Sequence, residues 1–247
     1  MGKNRENEQL EALDEFVGRA LIDEVLGVIK SGKEATVYLC SAPSAKDGLL
    51  AAKVYRSRNV RGFADDSGYR QGRTRGMAQR DSRAIMQKSR VGREMAFAQW
   101  VSHEFETLRE LHRAGCDVPE PIERADSVIL MEYLGDDDGP APPLANVLLE
   151  EAEARRLWGT MLRNIEGMLR CDRVHGDLSA FNVLYVNGAL KIIDFPQAVD
   201  ARFNDNAVSL LERDVDRVAS YFGRFGVQID AWRVARELWA RFIRAEL

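Results

Sequence analysis

The sequence predicts an α+β chain in two lobes, in which an antiparallel sheet with one helix is followed by a mainly helical part. Two observations predict this class. Short strand patterns, interrupted by one helical pattern, dominate residues 25–134, and helical spacing of apolar residues dominates the rest. A loop rich in Asp, Gly and Pro at residues 135–143 separates these parts. We therefore expect lobes at residues 1–134 and 135–247.

The first lobe is expected to begin with a helix and three strands. Apolar residues recur at helical spacing across residues 9–26. Three strand patterns are predicted at residues 25–28, 36–40 and 49–55. The third strand is apolar except for Lys53, and a buried ammonium group needs a partner because its desolvation is costly.

Residues 56–93 interrupt the pattern. They contain eleven Lys or Arg against three Asp, and their apolar residues are scattered. A segment of this composition lacks the apolar surface needed to order itself, so we expect a flexible basic insert. It is either a partner-binding segment or a solvated surface loop.

A helix, a turn and a strand are predicted to complete the first lobe. Apolar spacing predicts a helix over residues 97–111, with Gly115 as its C-cap. Pro119 and Pro121 indicate a turn, and a strand pattern covers residues 127–134.

The second lobe is predicted to contain three helices and one hairpin. The helices are expected at residues 150–171, 206–222 and 230–246. The hairpin strands are expected at residues 183–186 and 189–193. Asn187-Gly188 between them is a strong signal for a two-residue turn.

Composition excludes several classes of protein. The chain is 45% apolar and 30% charged, as in ordinary soluble proteins, and a net charge of −4 gives no overall case for a nucleic-acid binder. Cys40, Cys116 and Cys171 are far apart, which indicates a reducing compartment without disulfides or a zinc site. Because the N-terminus has no signal-peptide pattern and no uncharged apolar window reaches about 18 residues, we expect a cytoplasmic protein with no membrane partner.

The most informative motif is the loop Val174–Asn182 with the aspartate that follows the predicted hairpin. Asp177 and Asn182 lie five positions apart, and Asp194 follows the apolar run 192–193. Phosphoryl transfer from ATP needs a carboxylate that orients the acceptor, and an amide oxygen and a second carboxylate that hold Mg²⁺. We interpret Asp177 as the catalytic carboxylate and Asn182 and Asp194 as magnesium ligands. His175 is expected to support the loop.

Lys53 is interpreted as a second catalytic residue. In this chemistry a strand lysine contacts the α- and β-phosphates of ATP and pairs with a helix glutamate. Glu104 is the first candidate for that glutamate and Glu94 the second. The alternatives are a lysine that extends to solvent from an edge strand and a glutamate that faces solvent.

Two further segments are candidates for nucleotide binding. The turn containing Ser31, Gly32 and Lys33 lies about twenty residues before Lys53, where a phosphate-binding loop is expected. It has one glycine, so the side chains would supply donors that backbone amides do not; a polar hairpin turn explains it equally well. Met131 would line the adenine pocket, and the backbone of Glu132 and Leu134 would bind the edge of the base.

These motifs resemble those of the RIO family of atypical serine/threonine protein kinases, and the resemblance spans about residues 10–222. The matching segments are Ser31–Ala35, Lys53–Tyr55, Gly68–Arg70, Pro119–Pro121, Leu130–Glu132, His175–Ser179, Phe181–Asn182 and Ile193–Gln197. The Gly-Tyr-Arg segment and the Pro-Ala-Pro-Pro loop are closer to the first RIO subgroup, and Asp-Phe-Pro-Gln is closer to the second. The chain is identified as a bacterial-type member, closest to the first subgroup.

The resemblance implies a protein-kinase-like fold with a nucleotide-binding first lobe and a truncated catalytic second lobe. Only 53 of the 247 residues follow Asp194. It further implies a kinase that uses ATP and Mg²⁺ and phosphorylates a protein serine or itself. Some members act as ATPases through a phosphorylated aspartate, which corresponds to Asp194. Eukaryotic and archaeal members assist maturation of the small ribosomal subunit.

Two other hypotheses remain open at this point. Aminoglycoside and choline kinases share a His-Gly-Asp-Leu…Asn loop and a downstream Ile-Asp, although they need a larger C-terminal pocket for a cationic acceptor. A third hypothesis is a binding module that uses ATP as a conformational switch on ribosomal RNA, a pre-ribosomal particle or a protein partner. The basic insert 56–93 motivates it, because Lys and Arg neutralise phosphates. This third hypothesis is compatible with kinase activity.

Overall fold

The computed structural model describes residues 9–43, 45, 48–56, 90–136 and 138–247, except the side chains of residues 90–94 and 96. Within this part of the chain two units are distinguished. The first contains the described residues up to 56 together with 90–106 and 119–134, and the second contains 107–118 and 135–247. Most of the predicted insert lies outside the described residues. The lobe boundaries expected from the sequence stay a prediction.

The first unit is built on a five-stranded antiparallel sheet in the order β1-β2-β3-β5-β4. The strands are β1 (Glu24–Ser31), β2 (Ala35–Ser41), β3 (Leu49–Tyr55), β4 (Pro121–Ala125) and β5 (Val128–Glu132). Alternate residues of β2 are buried, which is the period expected of a strand with one face on a core. Phe16 and Ile22 pack in the same buried cluster as the β2 residues Tyr38 and Cys40.

The predicted N-terminal helix is shorter than expected. Residues 9–11 are helical, a turn occupies residues 12–13, and a short helix, α1 (Asp14–Gly18), follows. Ala20 then has a φ of +53°, a left-handed conformation that prevents the helix from continuing. The expectation that helix continues to residue 26 was wrong, because Glu24 already pairs with Ser41 of β2. Tertiary strand pairing therefore overrides the local helical spacing.

The connection between β3 and β5 contains one predicted element and one that was missed. Helix α2 (Arg90–Arg113) contains the predicted helix, and Gly115 ends it with a φ of +79° as expected for a C-cap. The region of Pro121 was expected to be only a turn, but Pro121 begins β4 at the edge of the sheet. Proline is accommodated there because an edge residue need not donate to a ladder.

The second unit is mainly helical. Its helices are α3 (Glu151–Arg170), α4 (Ala207–Gly223) and α5 (Ala231–Ile243), and Leu144–Asn146 and Ala180–Asn182 form 3₁₀ turns. Its short strand pairs are β6 (Gly135–Asp136) with β7 (Gly139–Pro140), β8 (Arg173–Val174) with β11 (Val199–Asp200), and β9 (Val183–Val186) with β10 (Ala189–Ile192). No helix of the described residues is sufficiently long and apolar to span a bilayer.

The predicted hairpin is confirmed. Strands β9 and β10 pair in antiparallel register from Val183 with Ile192 to Val186 with Ala189. Asn187 and Gly188 both have positive φ, at +48° and +82°. Positive φ at both central residues is the requirement of the type I′ turn that matches the twist of the two strands. The hairpin leads directly into Asp194.

Two leucines of the second unit allow a matched test of packing. Leu157 of α3 is fully buried, whereas Leu148 is 86% exposed. We expect Leu157→Ala to lower the free energy of unfolding by about 2–5 kcal/mol because it leaves a cavity. Leu148→Ala should change it by less than about 0.5 kcal/mol. Urea unfolding followed by circular dichroism measures both, and equal effects of the two substitutions would contradict the packing described.

Candidate active site

The loop that carries Asp177 connects β8 to β9. Gly176 has a φ of +79°, which glycine adopts without strain and which turns the chain immediately before Asp177. The loop ends in the 3₁₀ turn Ala180–Asn182, where the Asn182 N–H donates to the Ser179 carbonyl at 2.9 Å. Half of the side-chain surface of Asp177 is accessible to solvent.

Hydrogen bonds connect Asn182 with Asp177 and with the segment that ends in Asp194. The Asn182 side-chain Nδ2 donates to the Asp177 carbonyl at 2.9 Å, and the Ile193 N–H donates to the Asn182 carbonyl at 3.0 Å. Asn182 therefore links the Asp177 loop to the residue immediately before Asp194. Asp194 follows β10 with an exposed side chain and a φ of +72°, which is unusual for a residue other than glycine.

His175 supports the loop, as expected from the sequence. Its ring Nε2 lies 3.1 Å from the Ile193 carbonyl, and its Nδ1 accepts from the Asp177 N–H at 3.3 Å. A neutral imidazole with its proton on Nε2 satisfies both bonds. Burial lowers the pKa of His175, which favours this neutral form.

Asp214 of α4 holds the backbone on both sides of Asp177, and sequence reasoning missed it. Its carboxylate accepts from the Gly176 N–H at 2.7 Å and from the Leu178 N–H at 3.0 Å. The side chain is buried. Burial raises the pKa of Asp214 to about 7, although the two backbone hydrogen bonds and the nearby arginines act in the opposite direction. Its polar neighbours in the sequence, Glu212, Arg213 and Asp216, gave no signal of such a role.

Two arginines of α4 complete the contacts with the loop. Arg213 donates to the Gly176 carbonyl, and Arg217 Nη1 donates to Asp177 Oδ1 at 2.7 Å. Arg217 is 41% exposed on its side chain. Helix α4 therefore supplies an acceptor for two amides, a donor for one carbonyl and a cation for the side chain of Asp177.

In the first unit, Lys53 and Glu104 form the ion pair that the sequence predicted. Lys53 Nζ lies 2.8 Å from Glu104 Oε1, and the two side chains are only 13% and 5% exposed. The Lys53 ammonium also lies 5.1 Å from the centre of the Tyr55 ring. The side chain of Glu94, the second candidate, lies outside the described residues. Lys53 is thus an internal, paired ammonium.

The other nucleotide-binding candidates also lie in the first unit. Ser31 ends β1 and its hydroxyl accepts from Arg56 at 2.8 Å, while the Gly32 N–H donates to the Ala35 carbonyl at 2.9 Å. Lys33 is exposed in the same turn. This arrangement is a closed polar hairpin turn with cationic side chains around it.

One backbone group of the segment expected to contact adenine is already hydrogen-bonded within the first unit. Met131 packs against the buried cluster that contains Trp100 and Ile129. The Glu132 N–H donates to the Glu120 carbonyl at 2.8 Å, so this amide is engaged between β4 and β5. Leu134, two residues later, is buried.

Comparison with known proteins identifies the family. The model of the RIO domain family matches residues 36–234, a span that includes Lys53, Asp177, Asn182 and Asp194. The chain belongs to the RIO domain family. This membership supports the protein kinase interpretation and not the aminoglycoside or choline kinase alternative.

Curated RIO relatives extend over most of this chain. The serine/threonine-protein kinase RIO1 of Chaetomium thermophilum is 35% identical over 224 residues, which are 86% of this chain and 42% of that protein. The RIO-type serine/threonine-protein kinase Rio1 of Haloferax volcanii is 33% identical over 219 residues, 89% of this chain and 70% of that protein. The chain thus spans less than half of the Chaetomium relative.

A solved RIO structure shows the same fold. The Rio2 kinase–ADP/Mg²⁺–phosphoaspartate complex from Chaetomium thermophilum superposes with a TM-score of 0.60 at 22% identity. The superposition covers 92% of this chain and 65% of that one. The α+β, kinase-like fold expected from the sequence is therefore confirmed.

The raised pKa of Asp214 predicts how stability depends on pH. An unfolded Asp titrates near 3.8 and the folded Asp214 at about 7, so the folded form binds one more proton between these values. The stabilisation from Asp214 is complete below pH 3.8 and is lost as pH rises through 7, at about 1.4 kcal/mol per pH unit at most. We expect the free energy of unfolding of the RIO chain to fall over this range relative to that of Asp214→Asn.

Urea titrations at a series of pH values measure this difference. Asp216→Asn, an exposed position on the same helix, serves as the control and should follow the unsubstituted chain. The prediction would be contradicted if the free energy of unfolding of the unsubstituted chain, relative to that of Asp214→Asn, stayed constant or grew with pH. That result would mean that folded Asp214 is already ionised in this range.

Proposed function

We propose that this chain is an ATP- and magnesium-dependent serine/threonine protein kinase of the RIO type. The observation that carries the proposal is the hydrogen-bonded arrangement of Asp177, Asn182 and the segment that ends in Asp194. Its curated relatives bear the names of RIO-type serine/threonine-protein kinases. The acceptor is a serine of another protein or of the chain itself.

Asp177 is the group that acts on the acceptor. Its side chain is half exposed, so a serine hydroxyl has access to a carboxylate oxygen. That oxygen accepts the hydroxyl proton as the serine oxygen attacks the γ-phosphorus, and the electron pair of the broken P–O bond leaves with ADP. Because this chemistry needs little covalent participation by the protein, orientation of the hydroxyl is the main contribution of Asp177.

Lys53 supplies positive charge for the phosphates of ATP. Its ammonium is internal and paired with Glu104, and this contact holds it in one position. A preorganised cation stabilises the charge that develops on the phosphates with little reorganisation. Ser31 and Lys33 add side-chain donors for the phosphates beside Gly32, whose own N–H is bound to the Ala35 carbonyl. Met131 and the backbone of Glu132 and Leu134 form the adenine site, although the Glu132 N–H is retained by the Glu120 carbonyl.

Asn182 and Asp194 fit a magnesium ion. Because Asn182 Nδ2 donates to the Asp177 carbonyl, the ligand from this side chain is its amide oxygen. Asp194 adds an exposed carboxylate, and Mg²⁺ prefers such hard oxygen ligands. The described residues contain no cluster of three or more His, Cys, Asp or Glu side chains suited to a metal, so phosphates and water would complete the shell. The ion supplies charge neutralisation of the phosphates when it is bound.

Asp194 also has a role if the phosphoryl group is transferred to the protein rather than to an acceptor. The structurally similar Rio2 kinase complex contains ADP, Mg²⁺ and a phosphoaspartate. In this chain the exposed Asp194 carboxylate is the candidate for such a modification. Hydrolysis of the acyl phosphate would give an ATPase cycle.

Replacement of Asp177 tests the proposed function. Incubation with ATP labelled at the γ-phosphate should label protein or release phosphate, and Asp177→Ala should slow this turnover by hundreds-fold or more, on the order of 3 kcal/mol of transition-state stabilisation. Asp216→Ala, an exposed aspartate of α4, is the control and should leave the rate unchanged. Acid-stable label would identify phosphoserine, and acid-labile, hydroxylamine-sensitive label would identify an acyl phosphate.

Equal turnover by Asp177→Ala and the unsubstituted chain would overturn the proposed mechanism. Rapid phosphorylation of an aminoglycoside or sugar, with little label in protein, would instead revive the small-molecule alternative.

The basic insert supports a ribosomal partner. Its excess of eight positive charges between residues 56 and 93 suits contact with the phosphates of ribosomal RNA in a pre-ribosomal particle. A kinase of the cytoplasm that acts there would assist maturation of the small subunit.

An RNA-binding measurement tests the insert. We expect binding of a structured ribosomal RNA fragment to weaken steeply as salt rises from about 50 to 200 mM, because released counterions drive the association. Replacement of the insert by a neutral linker of equal length should abolish most of this binding. Unchanged affinity after replacement, measured by fluorescence anisotropy, would end the proposal of an RNA partner.

A further inference from the structure

Arg217 binds the side chain of the proposed catalytic carboxylate from a separate element. Its Nη1 donates to Asp177 Oδ1 at 2.7 Å across a sequence separation of 40 residues. The position immediately before Asp177 is Gly176, so the loop itself carries no arginine next to the carboxylate. The cation that contacts Asp177 therefore comes from α4.

The contacts of Arg217 belong to one face of α4. Arg217 follows Asp214 by three positions and Arg213 by four, so its side chain lies between theirs on one side of the helix. Asp214 holds the amides on either side of Asp177, and Arg213 donates to the carbonyl of Gly176. The same face thus fixes both the backbone and the side chain of Asp177.

The two carboxylate oxygens of Asp177 have unequal surroundings. Oδ1 accepts the short, charge-assisted bond from Arg217, whereas Oδ2 lies 3.5 Å from Asn182 Nδ2, at the outer limit of a hydrogen bond. Each oxygen of the carboxylate therefore has one contact, and the contact to Oδ1 is the shorter by 0.8 Å. Oδ2 is the oxygen with the weaker internal bond, and so the one that exchanges a partner more readily.

The ion pair between Arg217 and Asp177 is exposed, so it can orient the carboxylate while contributing little to stability. The side chains of Arg217 and Asp177 are 41% and 50% exposed. Ion pairs at this exposure contribute little to folding because solvent screens them. By contrast, Lys53 and Glu104 are almost fully buried. Substitution of Arg217 should therefore leave the fold intact.

We propose that Arg217 is a positioning residue, which holds Oδ1 of Asp177 so that Oδ2 accepts the proton of the acceptor hydroxyl. The inference rests on the proposed kinase function. In the step, the serine oxygen forms a bond to the γ-phosphorus, the bond from that phosphorus to the ADP oxygen breaks with its electron pair on ADP, and the hydroxyl proton moves to Oδ2. Arg217 contacts neither reacting atom.

Three substitutions of Arg217 in the full chain test the inference. Arg217→Gln and Arg217→Ala should lower the turnover number for labelling of protein by at least tenfold, with the KM for ATP changed less than twofold. Arg217→Lys should recover much of the rate, because the contact uses a single nitrogen that an ammonium can replace. Arg233→Gln, which removes an exposed arginine paired with Glu237 on α5, is the control and should behave as the unsubstituted chain. The melting temperatures of all variants should agree.

A double substitution distinguishes positioning from direct contact with phosphate. In an Asp177→Asn background, measured over long incubations, Arg217→Gln should have no further effect because it acts through the Asp177 carboxylate. The inference would be overturned if Arg217→Gln lowered the turnover number further in that background, or left it unchanged in the otherwise unsubstituted chain. It would also be overturned if Arg217→Lys did not restore the rate and the melting temperature fell. The proposed kinase function fails separately, if Asp177→Ala is as active as the unsubstituted chain.

Discussion

The hydrogen bonds from the backbone of Gly176 and Leu178 to Asp214 are the interaction on which the second unit of this RIO chain depends. They cross 38 and 36 residues of sequence and place a buried carboxylate beneath the loop that presents Asp177. Two buried amides without an acceptor would be costly, so the loop conformation and the position of α4 are coupled. The proposed role of Asp177 requires this coupling, because a carboxylate on an unsupported loop would not keep one orientation.

Each unit contains one ion pair that involves a proposed functional residue, and the two pairs differ in their exposure to solvent. Lys53 and Glu104 are buried together, so each satisfies the charge of the other where water does not. Asp177 and Arg217 are half exposed, and their attraction is screened. The buried pair maintains one ammonium in one place, whereas the exposed pair leaves a carboxylate accessible. A protein kinase needs both properties, a fixed cation for the nucleotide and an accessible group for the acceptor.

Sequence reasoning succeeded where the physical cause is local or where a group demands a partner. The turn at residues 187–188 was predicted from its own chemistry, and Glu104 was predicted because Lys53 lies alone in an apolar strand. It failed at Glu24, where pairing with a distant strand overrides helical spacing. It also missed Asp214, because an aspartate among polar helix residues has the pattern of a solvated side chain. Its burial is a consequence of tertiary packing, which no local pattern records.

Amide hydrogen exchange at Gly176 and Leu178 tests the central coupling most directly. If Asp214 holds both amides, each should exchange slowly in the unsubstituted chain above pH 7, where this side chain is a carboxylate. Asp214→Asn replaces one carboxylate oxygen by a donor, and the amide that faces it should then exchange at least about tenfold faster, the equivalent of one lost hydrogen bond. If the exchange rates of both amides in Asp214→Asn were the same as in the unsubstituted chain, the account would be contradicted.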